Sequence, residues 1–121
     1  MEGMRERRNE ARLLCADMVE VHWLDRWGHP RQAAALLEDI APSGACIQFE
    51  VEIPAGTQLR VACAHGVLEG TVRYCVYREI GYFVGVQFSE NSRWSRQQYE
   101  PAHLLDLEQL VAQSRAEEEP V

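Results

Sequence analysis

The strongest constraint in this chain is a nine-residue alternation. Ala45, Ile47, Phe49, Val51 and Ile53 fall on one face of an extended segment, and Cys46, Gln48, Glu50 and Glu52 fall on the other. A period of two over this length describes a half-buried strand, because apolar positions on a helix recur every three or four residues instead. Further β-type runs occupy residues 13–23, 32–40, 59–63, 67–77 and 82–88. Turn-forming residues separate them: Trp27-Gly28-His29-Pro30, Pro42-Ser43-Gly44, Pro54-Ala55-Gly56, His65-Gly66 and Glu79-Ile80-Gly81. Six short strands at this spacing predict a small antiparallel barrel or sandwich over residues 13–99.

The period then changes. Pro101 suits the first turn of a helix, and Leu104, Leu107, Leu110 and Val111 form a stripe at helical spacing. This predicts a helix over 101–115 that lids the open end of the β-structure, followed by a solvated acidic tail at Glu117-Glu118-Glu119. With 121 residues, 46% of them hydrophobic, the chain is one domain's worth and can bury a core without metal or disulfide support.

Charge narrows the function classes. The net charge is −7, of which five units fall in residues 100–121, and all twelve cations are arginine. A general DNA or RNA binder relies on counterion release from a basic face, and no such excess exists here. The one local positive field is the arm formed by residues 1–12, with Arg5, Arg7, Arg8 and Arg12. No apolar run reaches the ~18 residues of a membrane span, and the first residues are charged where a signal peptide is apolar. Both features predict a cytoplasmic protein with no membrane insertion. Cys15, Cys46, Cys63 and Cys75 lack the close pairing of a zinc site, so reduced, buried thiols and no metal are expected. His22, His29, His65 and His103 lie in no nucleophile, phosphate-loop or metal motif, which argues against an enzyme and leaves no catalytic residue to name.

Two polar elements remain. Arg8 and Arg12 bracket three residues, with Arg7 just before them, and Asp39-Ile40-Ala41-Pro42-Ser43-Gly44 occupies the turn between two strands. In a helix, Arg8 and Arg12 would repel each other at i,i+4, so the segment suits a loop that closes around an anion. Guanidinium offers a planar fork to phosphate and to the N7/O6 edge of guanine, and it stacks on flat rings. A carboxylate such as Asp39 accepts from the guanine N1–H and N2–H edge. Gly44 can adopt positive φ or allow a ligand close to the backbone. One intervening strand pair brings the chain back near its start, so the two elements can share one rim.

In this order, the chain resembles the PilZ domain, the bacterial receptor for cyclic di-GMP. The resemblance rests on Arg8-x-x-x-Arg12, on Asp39-x-Ala41-x-x-Gly44, and on the closing Gly81-Tyr82-Phe83-Val84-Gly85-Val86-Gln87-Phe88. The family pattern is RxxxR followed by (D/N)xSxxG. The resemblance implies an all-β fold with a C-terminal helix, built on a six-stranded antiparallel PilZ-like β-barrel. It also implies that Arg8 and Arg12 grip phosphates and guanine faces, with Arg7 as the extra arginine many members carry. Asp39 would bond a guanine edge, and Gly44 would keep the turn open. Ala41 stands where the pattern has serine, a missing hydroxyl worth ~1 kcal/mol, or roughly five- to tenfold in affinity. The implied function is a cyclic di-GMP receptor, without other cofactor, that changes conformation and signals in trans to an effector protein or through a homodimer. The alternative is a PilZ-like adaptor that works by protein contact without nucleotide.

Overall fold

The computed structural model describes residues 10–64 and 66–105. Among them are six strands: β1 Leu13–Leu24, β2 Pro30–Ala41, β3 Gly44–Phe49, β4 Gln58–Cys63, β5 Gly66–Arg78 and β6 Gly81–Phe88. All neighbours pair antiparallel, and the order β1-β2-β3-β6-β5-β4 closes on itself, since Glu20–His22 of β1 pair with Arg60–Ala62 of β4. Closure pairs each strand on both sides over part of its length, which limits the edge open to edge-to-edge association.

The alternation that marked the strands also defines the interior. Val19 and Val21 of β1, Leu37 of β2, Ile47 and Phe49 of β3, Leu59 and Val61 of β4, Val72 of β5 and Val84 and Val86 of β6 fill the core. Register shifts between Leu14 and Asp17, Leu37 and Asp39, and Val72 and Tyr74 bend three strands where the sheet must curl. An extra residue at such a point raises the local twist and re-aims the side chains that follow.

Two expectations are corrected. The alternation through Ile53 overstates β3, which ends at Phe49; the chain bends at Glu50 and Val51, yet Ile53 still turns fully into the core ahead of Pro54. The helix expected from Pro101 does not begin there. Residues 101–105 contain a turn with His103 at φ +58°, and Leu105 N–H then donates to Leu14 O at 2.7 Å. Ala16 N–H donates to Ala102 O at 3.0 Å, so this segment covers the part of β1 that β4 does not reach. Tertiary pairing with an open stretch of strand outweighs helix preference here. Leu107, Leu110, Val111 and the acidic tail lie outside the described residues. The only helical element among the described residues is a single 3-10 turn, Glu90–Ser92, and no described helix is long and apolar enough to cross a membrane.

Two aromatics close the barrel where β1 begins and β2 turns into β3. Trp94 and Tyr99 are each 5% exposed. The Trp94 indole N–H donates to Tyr99 O at 2.7 Å, and the Tyr99 hydroxyl donates to the Asp17 carboxylate, which also accepts from Ala102 N–H. Asp17 faces inward on β1, and this pairing is what allows a carboxylate to stand there.

Candidate functional site

The rim beside this plug carries the polar elements. Asp39 sits at the end of β2, paired in register with Leu14 on β1 and Cys46 on β3. Arg12 immediately precedes β1, and its guanidinium donates to Asp39 Oδ1 at 2.6 Å. Residues 27 apart in sequence therefore meet through one antiparallel strand pair. Their side chains are 56% and 23% exposed, so the contact is solvent-screened and contributes little to stability.

The floor follows from the register. Cys46 pairs with Gly85 on β6, and Gly85 pairs with Tyr74 on β5, placing Asp39, Cys46, Gly85 and Tyr74 in one row across four strands. The Tyr74 ring lies over Gly85, where a Cβ would force the ring to move. Burial, then the nearby Asp39 charge, pushes the Cys46 thiol up to about 11. Burial, then Cys46, likewise raises the Tyr74 phenol. Cys15, Cys46, Cys63 and Cys75 are all free thiols.

Ala41 and Gly44 form the inner wall. Ala41 is 3% exposed and pairs with Gly44 across the turn. Gly44 does not use positive φ, and its need for glycine comes from within the barrel: a Cβ would stand 2.5 Å from Val86 O on β6. Arg7 and Arg8 lie outside the described residues.

Several rim residues were not singled out by the motif reading. Glu10, inside the arginine pair, accepts from Ser43 N–H at 3.1 Å and from Ser43 Oγ at 2.5 Å. Its other carboxylate oxygen accepts from Arg93 at 2.8 Å. Arg73, beside the β5 irregularity, donates to Gln87 on β6. Glu10 and Ser43 are legible as members of the two motifs, whereas Arg93 lies 83 residues from Glu10 and only the fold brings them together.

Glu10, Arg12, Ala41, Ser43, Gly44 and Arg73 are among the residues that line a concavity of about 180 Å³. Pockets for drug-sized ligands span ~300–1,000 Å³, so this concavity is smaller than a complete small-molecule pocket. A larger concavity of about 610 Å³ surrounds Trp23, Leu24 and Arg31 at the far end of the barrel. Two of its polar side chains, Arg60 and His22, already face Glu69 and Glu20 at 3.7 and 2.7 Å. The far end holds the larger concavity, and the rim is where the described residues of the two sequence motifs converge.

A closed antiparallel barrel with a guanidinium–carboxylate rim is a binding module in class. The PilZ domain family model matches residues 6–100, and the chain belongs to the PilZ domain family. PilZ domains are generally cyclic di-GMP-binding or adaptor modules rather than enzymes. No curated protein matches the chain.

Proposed function

We propose that this PilZ domain is a cyclic di-GMP receptor that binds at the Arg12–Asp39 rim and signals in trans to an effector protein. The observation that carries the reading is the 2.6 Å contact between Arg12 and Asp39. It joins the two halves of the family motif at one place, with an anion-binding fork and a guanine-edge acceptor side by side. Arg8 and the Arg7 that precedes it in sequence are the further arginines that the family motif assigns to the ligand. Ligand binding replaces the internal Arg12–Asp39 pair with contacts to phosphate and guanine, which moves the arm relative to the barrel and changes the surface offered to a partner.

One observation favours the second reading, an adaptor without nucleotide. Ala41 presents a methyl group where the family pattern has a hydroxyl, and the Ser43 hydroxyl two residues on is already engaged by Glu10. The Ser43 hydroxyl is therefore not free to replace the missing one. The loss of ~1 kcal/mol reduces affinity without removing the arginine and aspartate contacts.

Calorimetric titration with cyclic di-GMP, with GTP as control, separates the two. The receptor reading expects saturable binding to the parent. Arg12→Ala should weaken it at least ~10-fold, because hydrogen bonds to charged groups are worth ~1.5–3 kcal/mol. Its melting temperature should scarcely move, since the internal pair is exposed. A parent that takes up no nucleotide refutes the receptor reading and leaves the adaptor.

A further inference from the structure

Glu10 occupies a place in the rim that its own charge does not explain. Its side chain is only 12% exposed, and both carboxylate oxygens are engaged. One accepts from the Ser43 amide and hydroxyl, the other from Arg93. A carboxylate held by an amide N–H, a hydroxyl and a guanidinium is an oxyanion in an oxyanion seat.

The seat does not depend on Glu10 for its shape. Trp94 N–H donates to Pro42 O at 2.9 Å, and Phe88 N–H donates to Ser43 O at 2.8 Å. These bonds fix the turn to β6 and to the segment after the barrel, the same segment that carries Arg93. Without Glu10, the Ser43 amide and hydroxyl and the Arg93 guanidinium would be left for water or another oxyanion to satisfy.

We propose that Ser43 and Arg93 form a phosphate subsite, beyond the paired arginines and Asp39, which the Glu10 carboxylate holds shut until a phosphate oxyanion displaces it. Two phosphate oxygens can span the same donors that the two carboxylate oxygens span now. Resting on the receptor reading, this assigns the seat to one phosphodiester of the dinucleotide. Glu10 then makes the arm self-inhibiting: the element that carries the gripping arginines also carries the competitor for the ligand's phosphate.

The test uses the full chain and two probes. Inorganic phosphate is titrated into the parent and Glu10→Ala while the Ser43 amide resonance is followed by NMR. A saturable Ser43 shift in Glu10→Ala, weak in the parent and lost in Glu10→Ala/Arg93→Ala, supports the seat. Glu10→Gln keeps an acceptor without the charge and should respond between the two, which guards against an effect of the alanine change on the arm alone. No Ser43 response in a folded Glu10→Ala overturns the proposal. With cyclic di-GMP, Glu10→Ala should bind about fivefold more tightly than the parent. Weaker binding would show that Glu10 positions the arm and would also overturn the proposal. A phosphate response at Ser43, with no nucleotide binding in any variant, would support the seat while sinking the receptor reading.

Discussion

Gly44→Ala separates a ligand-contacting glycine from an architectural one. The new methyl would stand 2.5 Å from Val86 O. That oxygen belongs to the β6 backbone, paired with β3 from Gly44 to Phe49, so it has no rotamer through which to escape. Either the turn or the β3–β6 ladder must shift. Overpacking of this kind costs ~1–3 kcal/mol, while a less flexible unfolded chain returns ~0.4–1 kcal/mol. The net loss is about 1–2 kcal/mol, or roughly 4–12 °C in melting temperature for a domain of this size. Thermal denaturation followed by circular dichroism measures it directly. Cyclic di-GMP affinity, measured well below the transition, should fall by no more than about tenfold if the glycine serves the barrel, since the shift reaches the ligand only through the turn that carries Ser43. The reverse pattern, an unchanged melting temperature with abolished binding, would refute the reasoning and place Gly44 against the ligand.

Two further outcomes follow from the plug and the thiols. Tyr99→Phe removes the donor to Asp17 and leaves that inward carboxylate with only Ala102 N–H. A loss of ~1.5–3 kcal/mol is expected in urea denaturation, and a variant as stable as the parent would mean that water replaces the phenol freely. High pH should also weaken the fold. Burial raises Cys15 to about 12 and Cys46 and Cys63 to about 11, against an ordinary 9.0. The unfolded chain therefore releases these protons first, so stability is complete below about pH 9 and falls as the pH rises toward 11. Because Cys15 and Cys63 are only partly buried, the loss is smaller than a full shift would give, and urea midpoints that stay flat across this range would contradict the shielding of these thiols.

The strands were legible because one interior imposes one period. Val19, Val21, Ile47, Phe49, Val84 and Val86 alternate for the simple reason that each strand has an inside and an outside. The same logic failed at both ends of its reach. Val51 continues the alternation but is exposed at a bend, while Ile53 returns to the core without a ladder to hold it. Leu104 fits a helical stripe, yet the segment that carries it satisfies its backbone against β1. Local pattern carries no information about a vacant strand edge 90 residues earlier. The plug was hidden for a related reason: Trp94 and Tyr99 follow the last strand in a segment with no period, and only Asp17 explains why Tyr99 is a tyrosine.

The rim shows where motif reading stops. Arg12 and Asp39 were readable as a pair because one hairpin returns the chain to its start, but the carboxylate between the arginines was not readable as a competitor. Its partner Arg93 comes from beyond the barrel. The result is a rim whose described charges largely cancel, Arg12 against Asp39 and Arg93 against Glu10. A dianionic ligand arriving there meets two internal ion pairs, with Arg73, bonded to the neutral Gln87, as a further described cation of the rim. It must exchange internal ion pairs for its own contacts, and only a ligand that satisfies both arginines and both carboxylates recovers what it breaks. Selectivity then comes from that exchange: an inorganic anion can replace Glu10 but offers nothing to Asp39, whereas a guanine-bearing phosphodiester presents donors and acceptors together.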